Sequence, residues 1–298
     1  MTALVANMGI AASKFAAAFI TGSASMLAEA VHSVADSTNQ ALLLVGGRRA
    51  ARPASAAHPF GYARERYIYA FIVSIVLFTL GGCYAVYEGV TKLRDPHELN
   101  SPVVAIVVLV IAIALEGWAL RTALKAANAD RGTRSWWQFI RRAKAPELPV
   151  IILEDTGALV GLLLALLGVG LTLITGDSIF DALGTLAIGV LLVAIAVILA
   201  AETKSLLIGE AASAEDLGAI RLALLSEPDI DRVIYLHTMH LGPEDLLVAA
   251  KITVGGTDTA RDVAAAIDRA EAAVRAATPA ARLIFLEPDI YQPHHPTG

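Results

Sequence analysis

"MLAEAVHSVADSTNQALLL", residues 26–44, places an imidazole, two carboxylates and two amides inside a run otherwise apolar enough to cross a bilayer. In a helix, four residues advance about 400° and about 6 Å, so His32 and Asp36 stand on one face, and Asn39 returns to it one further turn on. Ionisable groups at membrane depth cost several kcal/mol unless paired or hydrated, which makes them markers of ion or proton pathways. The plainer alternative is hydrogen bonding between helices, for which an Asn or Ser suffices without the desolvation of a carboxylate.

The rest of the chain sets this stretch in a membrane protein. Of 298 residues, 56% are hydrophobic and 17% charged, and the mean hydropathy is +0.62, outside the range of ordinary soluble domains. The net charge of −5 carries no nucleic-acid signal. Cys83 is the sole cysteine, so no internal disulfide forms and packing is its expected role. Residues 67–87, 156–176 and 182–201 contain no charged residue. Each is close to the ~20 residues that a helix needs to span the hydrocarbon core. Residues 4–22, 25–47 and 102–122 are similar runs with polar interruptions, which makes six spans in all. No basic residue precedes the first apolar run, so it reads as a span rather than a secretory leader.

Basic residues orient the bundle. Arg48, Arg49, Arg52, Arg64 and Arg66 follow the second span, and Arg131, Arg134, Arg141, Arg142 and Lys144 follow the fourth. The opposite loops hold only Lys92 and Arg94. The excess of positive charge predicts that the basic loops and both termini are cytoplasmic, in a plasma or inner membrane.

Beyond residue 204 the pattern changes. Ser213 with Asp216, and Thr259 with Asp262, read as helix caps before apolar residues at helical spacing. "RVIYLHTMHL" and "LLVAAKITV" read as strands around the turn "GPED", and "ARLIFLEPD" reads as a third strand. The expectation is a membrane domain over 1–204 and an α-β-β-α-β, ferredoxin-like domain over 205–298, its helices layered on an antiparallel sheet.

His32 and Asp36 offer the nitrogen and oxygen donors that borderline divalent metals accept, but two ligands seldom suffice. The fifth span opens with "VIILEDTGALVG", where Glu154 and Asp155 are candidate partners from a second helix. Local physics accommodates them equally well as interfacial carboxylates favoured by a helix N-terminus.

Taken together, "GSASMLAEAVHSVADSTNQALLL", "HPFGYARERY", "LEDTGALVG", "ETKSLLIGEAA" and "LEPD" resemble the cation diffusion facilitator family, and within it the branch of the zinc transporter 9 type. The resemblance implies proton-coupled export of a divalent metal, zinc in the first instance, by a homodimer joined partly through its C-terminal domains, with no enzymatic activity and no catalytic cofactor. It places the metal site on His32, Asp36 and Asp155. Where many relatives carry a fourth ligand, a His one turn before that aspartate, this chain has Ile151, which leaves Glu154 and Asn39 as candidate substitutes. One His with two or three carboxylates is a harder ligand set than two His with two Asp, which also admits manganese, iron or cobalt. In the loop after the second span, Tyr62 stands where the family often has a second histidine beside His58, so a loop metal site is not expected.

Among the remaining charges, Lys14, Glu29 and Glu116 are expected to form buried pairs, and Asp177 and Asp181 either guide cations or sit solvated at the interface. Trp136 and Trp137 fit an interfacial aromatic belt. His237, His240, His294 and His295 read as solvated surface groups, the first two on opposite faces of a strand. Two other functions fit the same composition, a membrane metallohydrolase and a metal sensor that binds without transporting. A hydrolase requires a general base beside an open metal position, and no HExxH-like spacing occurs.

Overall fold

A computed structural model describes residues 2–95, 101–255 and 259–292. Two compact units emerge, one comprising residues 1–50 and 65–204, the other residues 51–64 and 205–298. The stretch 51–64, assigned from sequence to the first domain, groups with the second unit.

The first unit is a helical bundle. Its crossings are α1 (Thr2–Thr21), α2 (Ala24–Ala50), a continuous third helix, α5 (Pro102–Arg131), α7 (Glu147–Thr175) and α8 (Ile179–Ile208). The third crossing comprises α3 (Glu65–Val76), a π-helical segment (Leu77–Cys83) and α4 (Tyr84–Arg94). Among the described residues, four of these pass the length and hydropathy needed to span a bilayer, namely residues 65–94, 103–131, 147–175 and 179–208. The described apolar part of α1 is shorter, and α2 carries the polar face read above. Leu77, Leu109, Leu162, Ile188 and Leu192 form the fully buried core. Helices in lipid associate through close packing, and Gly168 and Gly184 provide it between α7 and α8. A Cβ on Gly168 would stand 2.9 Å from the Phe180 carbonyl oxygen, and one on Gly184 3.1 Å from that of Leu164.

The first end of α2 is held from two other helices. Gly22, at φ 66°, turns the chain between α1 and α2, and Lys92 of α4 donates to its carbonyl at 3.2 Å. Asp181 of α8 is fully buried. It accepts from Ser23 Oγ and from the Ala24 amide, both at 2.8 Å, and from the Ser25 hydroxyl. The carboxylate thus satisfies amides that a helix start leaves without partners, a structural role rather than either of those expected for it.

Three features differ from expectation. Helix α7 begins at Glu147, nine residues before the uncharged run, because a first turn tolerates both Pro149 and a carboxylate. A short helix, α6 (Trp136–Arg142), occupies the basic loop, capped reciprocally by Ser135 and Gln138. Cys83 lies exposed on the outside of the third crossing rather than packed in the core.

The second unit has the order α9 (Ala214–Leu225), β1 (Ile230–Gly242), β2 (Asp245–Val254), α10 (Ala260–Ala277) and β3 (Ala281–Pro288). Ser213 and Thr259 cap their helices by accepting from the amides of Asp216 and Asp262. The sheet corrects the antiparallel expectation: β1 pairs antiparallel with β2, whereas β2 pairs parallel with β3. The β1–β2 connection is a tight hairpin, but a helix intervenes before β3, and a helical crossover returns the chain to the same end of the sheet. Ile220, Leu224, Val248, Ile252, Val274 and Ile284 fill the core. The loop carrying Arg64 packs in this unit, where Arg64 Nη2 lies 3.4 Å from Met239 Sδ.

Candidate metal centre

The polar face of α2 is where the periodicity places it. His32 and Asn39 are fully buried, and His32 Nε2 lies 3.6 Å from Asp36 Oδ2. That separation is long for a hydrogen bond. It is close to the edge of a tetrahedral ligand sphere, about 3.4 Å for bonds of about 2.0–2.1 Å. Neither ring nitrogen of His32 has a hydrogen-bond partner, and neither has Asp36 Oδ1 or Asn39 Oδ1. Buried polar atoms are normally satisfied, so four such unsatisfied positions on one face mark it as a candidate site.

Helix α7 faces them. Asn39 Nδ2 donates to Glu154 Oε1 at 2.5 Å, which joins the two helices and leaves the amide oxygen of Asn39 open. The hydrogen bond between helices weighed in the sequence reading therefore exists, but it is made by Asn39 and not by His32 or Asp36. Glu154 is the eighth residue of α7 and is 4% exposed. Dipole effects fade after the first turn, so an interfacial cap role for Glu154 and Asp155 is excluded.

A cavity of about 20 Å³, room for about one water-sized sphere, is lined by Asp36 and Gln40 of α2, Glu116 of α5, and Ile151, Glu154 and Asp155 of α7. Four carboxylates from three helices thus face one small space. Ile151 occupies its wall without offering a donor. In this conformation, among the described residues, no three His, Cys, Asp or Glu side chains converge on a single ion-sized point. His32 and Asp36 are brought together, as are Asn39 and Glu154, and Asp155 lines the cavity with Asp36 and Glu154 but not with His32 or Asn39.

The buried charges around the site separate into two groups. Lys14 of α1, itself fully buried, lies 3.4 Å from Glu29 Oε2 and donates to Ser33 Oγ at 2.8 Å. The Lys14–Glu29 pair is one of the pairings expected from sequence. Glu116 takes no part in it and turns to the cavity instead. This differs from the pairing expected for Glu116, because Lys14 is already engaged by Glu29 and Ser33. The π-helical segment also adjoins the site, since a Cβ on Gly81 would stand 3.7 Å from His32 Nδ1. Such segments recur at functional sites.

The other histidines fall outside this centre. The ring of His58 packs on that of Tyr62 at 4.5 Å between centroids, and Ser55 Oγ is 3.0 Å from the Tyr62 hydroxyl. His237 is exposed and rests on Tyr235. His240, read from sequence as a solvated group, is buried, with Nδ1 3.2 Å from the Gly242 carbonyl oxygen. His294 and His295 lie outside the described residues.

Bundle and site together define a multi-pass helical membrane protein with an acid-lined cavity beside an unpartnered imidazole. A model of the cation efflux transmembrane domain matches residues 1–208. The chain belongs to the cation efflux family, a family of cation carriers rather than enzymes. It is 31% identical over 245 residues to the human mitochondrial proton-coupled zinc antiporter SLC30A9, covering 82% of this chain and 43% of that protein. Metal tolerance protein C4 of Arabidopsis thaliana is 29% identical over 257 residues, covering 86% of this chain and 56% of that protein. A shorter match, 32% over 83 residues, links it to the magnetosome protein MamM of Magnetospirillum gryphiswaldense, covering 28% of this chain and 26% of that protein. The chain thus spans about two fifths to a little over half the length of the first two relatives.

Proposed function

We propose that this protein exports a divalent cation, zinc in the first instance, in exchange for protons, with His32, Asp36 and Asp155 as the ligands and Glu154 and Asn39 at their margin. The observation that carries the reading is the 3.6 Å approach of His32 Nε2 to Asp36 Oδ2, a fully buried imidazole and a half-buried carboxylate whose remaining buried polar atoms, His32 Nδ1 and Asp36 Oδ1, have no hydrogen-bond partner. A metal requires neutral imidazole and ionised carboxylate, so cation and protons compete for the same atoms and each displaces the other. Free imidazole titrates near neutrality, which suits that exchange at cellular pH. Holding one ion requires α2 and α7 to draw their donors closer than in the conformation described here. The name of SLC30A9, a zinc antiporter, supports zinc. The carboxylate-rich cavity favours manganese, iron or cobalt as the second reading, because oxygen donors suit harder ions.

The protein works in this reading as a homodimer in a plasma or inner membrane, with both termini in the cytoplasm and residues 205–298 serving dimerisation and regulation. The test is uptake of zinc, manganese, iron and cobalt into inverted vesicles, with counter-flow of protons recorded. Asp36→Ala and Asp155→Ala each abolish nearly all flux. Unchanged flux in either variant removes that residue from the site, and metal binding without flux in the native chain replaces the transporter with a sensor.

A further inference from the structure

We infer that Glu116 of α5 is a direct ligand of the transported cation, taking the place in the coordination sphere that Ile151 leaves without a donor. The inference rests on the transport reading above and adds to it a third helix. Glu116 is the sole charged residue between Val103 and Leu120, near the middle of α5. An acid in such a setting is costly unless it has a partner. The buried ammonium nearest the site, Lys14, is engaged by Glu29 and Ser33, and the carboxylate instead lines the cavity that Asp36, Asp155 and Ile151 also line.

An acidic cavity alone does not make a binding site. Here a second observation aims at it: the fully buried imidazole of His32 has two unpartnered nitrogens, and Nε2 points to the Asp36 carboxylate that forms part of the wall. Drawn closer than in the present conformation, where no three such side chains among the described residues converge, His32, Asp36, Asp155 and Glu116 would offer a cation one nitrogen and three oxygens from three helices. With room for about one water-sized sphere, the space is of the size of a dehydrated ion. With Glu116 in the sphere, oxygen outnumbers nitrogen three to one, so the site discriminates weakly between zinc and harder divalent ions. A second imidazole at position 151 would sharpen the choice for zinc.

Cobalt bound to the purified full-length chain in detergent reports the ligand set through its visible d–d bands, and zinc competition gives the relative affinity. Glu116→Gln is expected to weaken cobalt binding at least about tenfold, the lower end of what even outer-shell changes cost, and to alter the bands. In that background Ile151→His is expected to restore affinity and raise the preference for zinc over cobalt. Unaltered bands and affinity in Glu116→Gln overturn the inference. So does binding that is lost in Glu116→Gln but not regained with Ile151→His, provided that the double variant elutes as the native protein does. Failure of the native chain to bind cobalt or zinc defeats the transport reading itself. Failure confined to the Glu116→Gln comparison defeats only the added ligand.

Discussion

The polar face of α2 and the α/β unit treat their polar groups differently. In the α/β unit, side-chain oxygens cap helices at Ser213 and Thr259. Lys251 reaches Asp289 at 2.8 Å and Glu287 at 3.1 Å, and Arg269 pairs with Glu227 and Asp229. Around α2, by contrast, buried atoms of Glu29, His32, Asp36 and Asn39 have no partner. The contrast is physical. In the α/β unit the unsatisfied buried atoms, on Arg64, Thr253 and Thr278, are scattered, whereas those of His32, Asp36 and Asn39 share one face of α2, the arrangement that the proposed ion site requires. Within the first unit, Asp181 and the Lys14–Glu29 pair hold the bundle together, and the unsatisfied atoms of His32, Asp36 and Asn39 stand apart from them.

The largest effect that can break this comparison comes from Asp36→Asn. Flux into vesicles is expected to vanish, while the melting temperature in detergent stays level or rises, because one charge leaves a crowded acidic cavity. A parallel fall in melting temperature would make Asp36 structural and erase the contrast. Next is Lys14→Met, which leaves the Glu29 carboxylate buried without its ammonium and is expected to destabilise the bundle by about 3–5 kcal/mol. Adding Glu29→Gln should recover most of that loss in the same thermal assay. Third, Asp181→Ala removes charge-assisted bonds to the start of α2, each worth about 1.5–3 kcal/mol. Faster hydrogen exchange at the Ala24 and Ser25 amides is the expected signature.

The smallest effect concerns the α/β unit. Asp289 and Glu287 raise the Lys251 ammonium above the ordinary lysine range by hydrogen bonding and charge. A raised folded-state value means that the stabilisation is fully present below the ordinary lysine value, about 10.4, and is lost as pH climbs through the raised one. The pair is open to solvent, so Lys251→Gln should lower the melting temperature only slightly. The difference should stay level from neutral to mildly alkaline solution and fade only in strong alkali.

Much of the fold was readable before any coordinates. The apolar runs located the crossings because a helix in lipid must satisfy its own backbone, and the caps at Ser213 and Thr259 marked both helices of the α/β unit through local hydrogen bonds. Helix periodicity placed His32, Asp36 and Asn39 on one face. The start of α7 was misjudged, since hydropathy registers where charge stops rather than where hydrogen bonding begins, and Glu147, Pro149, Glu154 and Asp155 obscured nine helical residues. The direction of β3 depended on the helical crossover before it, and it was assigned from the general habit of the fold class.

The site divides in the same way. That acids and an imidazole occupy membrane-spanning segments follows from the sequence alone, because composition and helical period are properties of a single segment. Which of them meet does not. Lys14 had two acidic partners at suitable depth, and the rotation of α1 against α2 selected Glu29. Glu116 was left facing Asp36, Glu154 and Asp155 because the way α5 packs on α7 turns that side of the helix inward. Rotation and depth of one helix against another are set by packing between segments far apart in the chain, and no local pattern of residues encodes them.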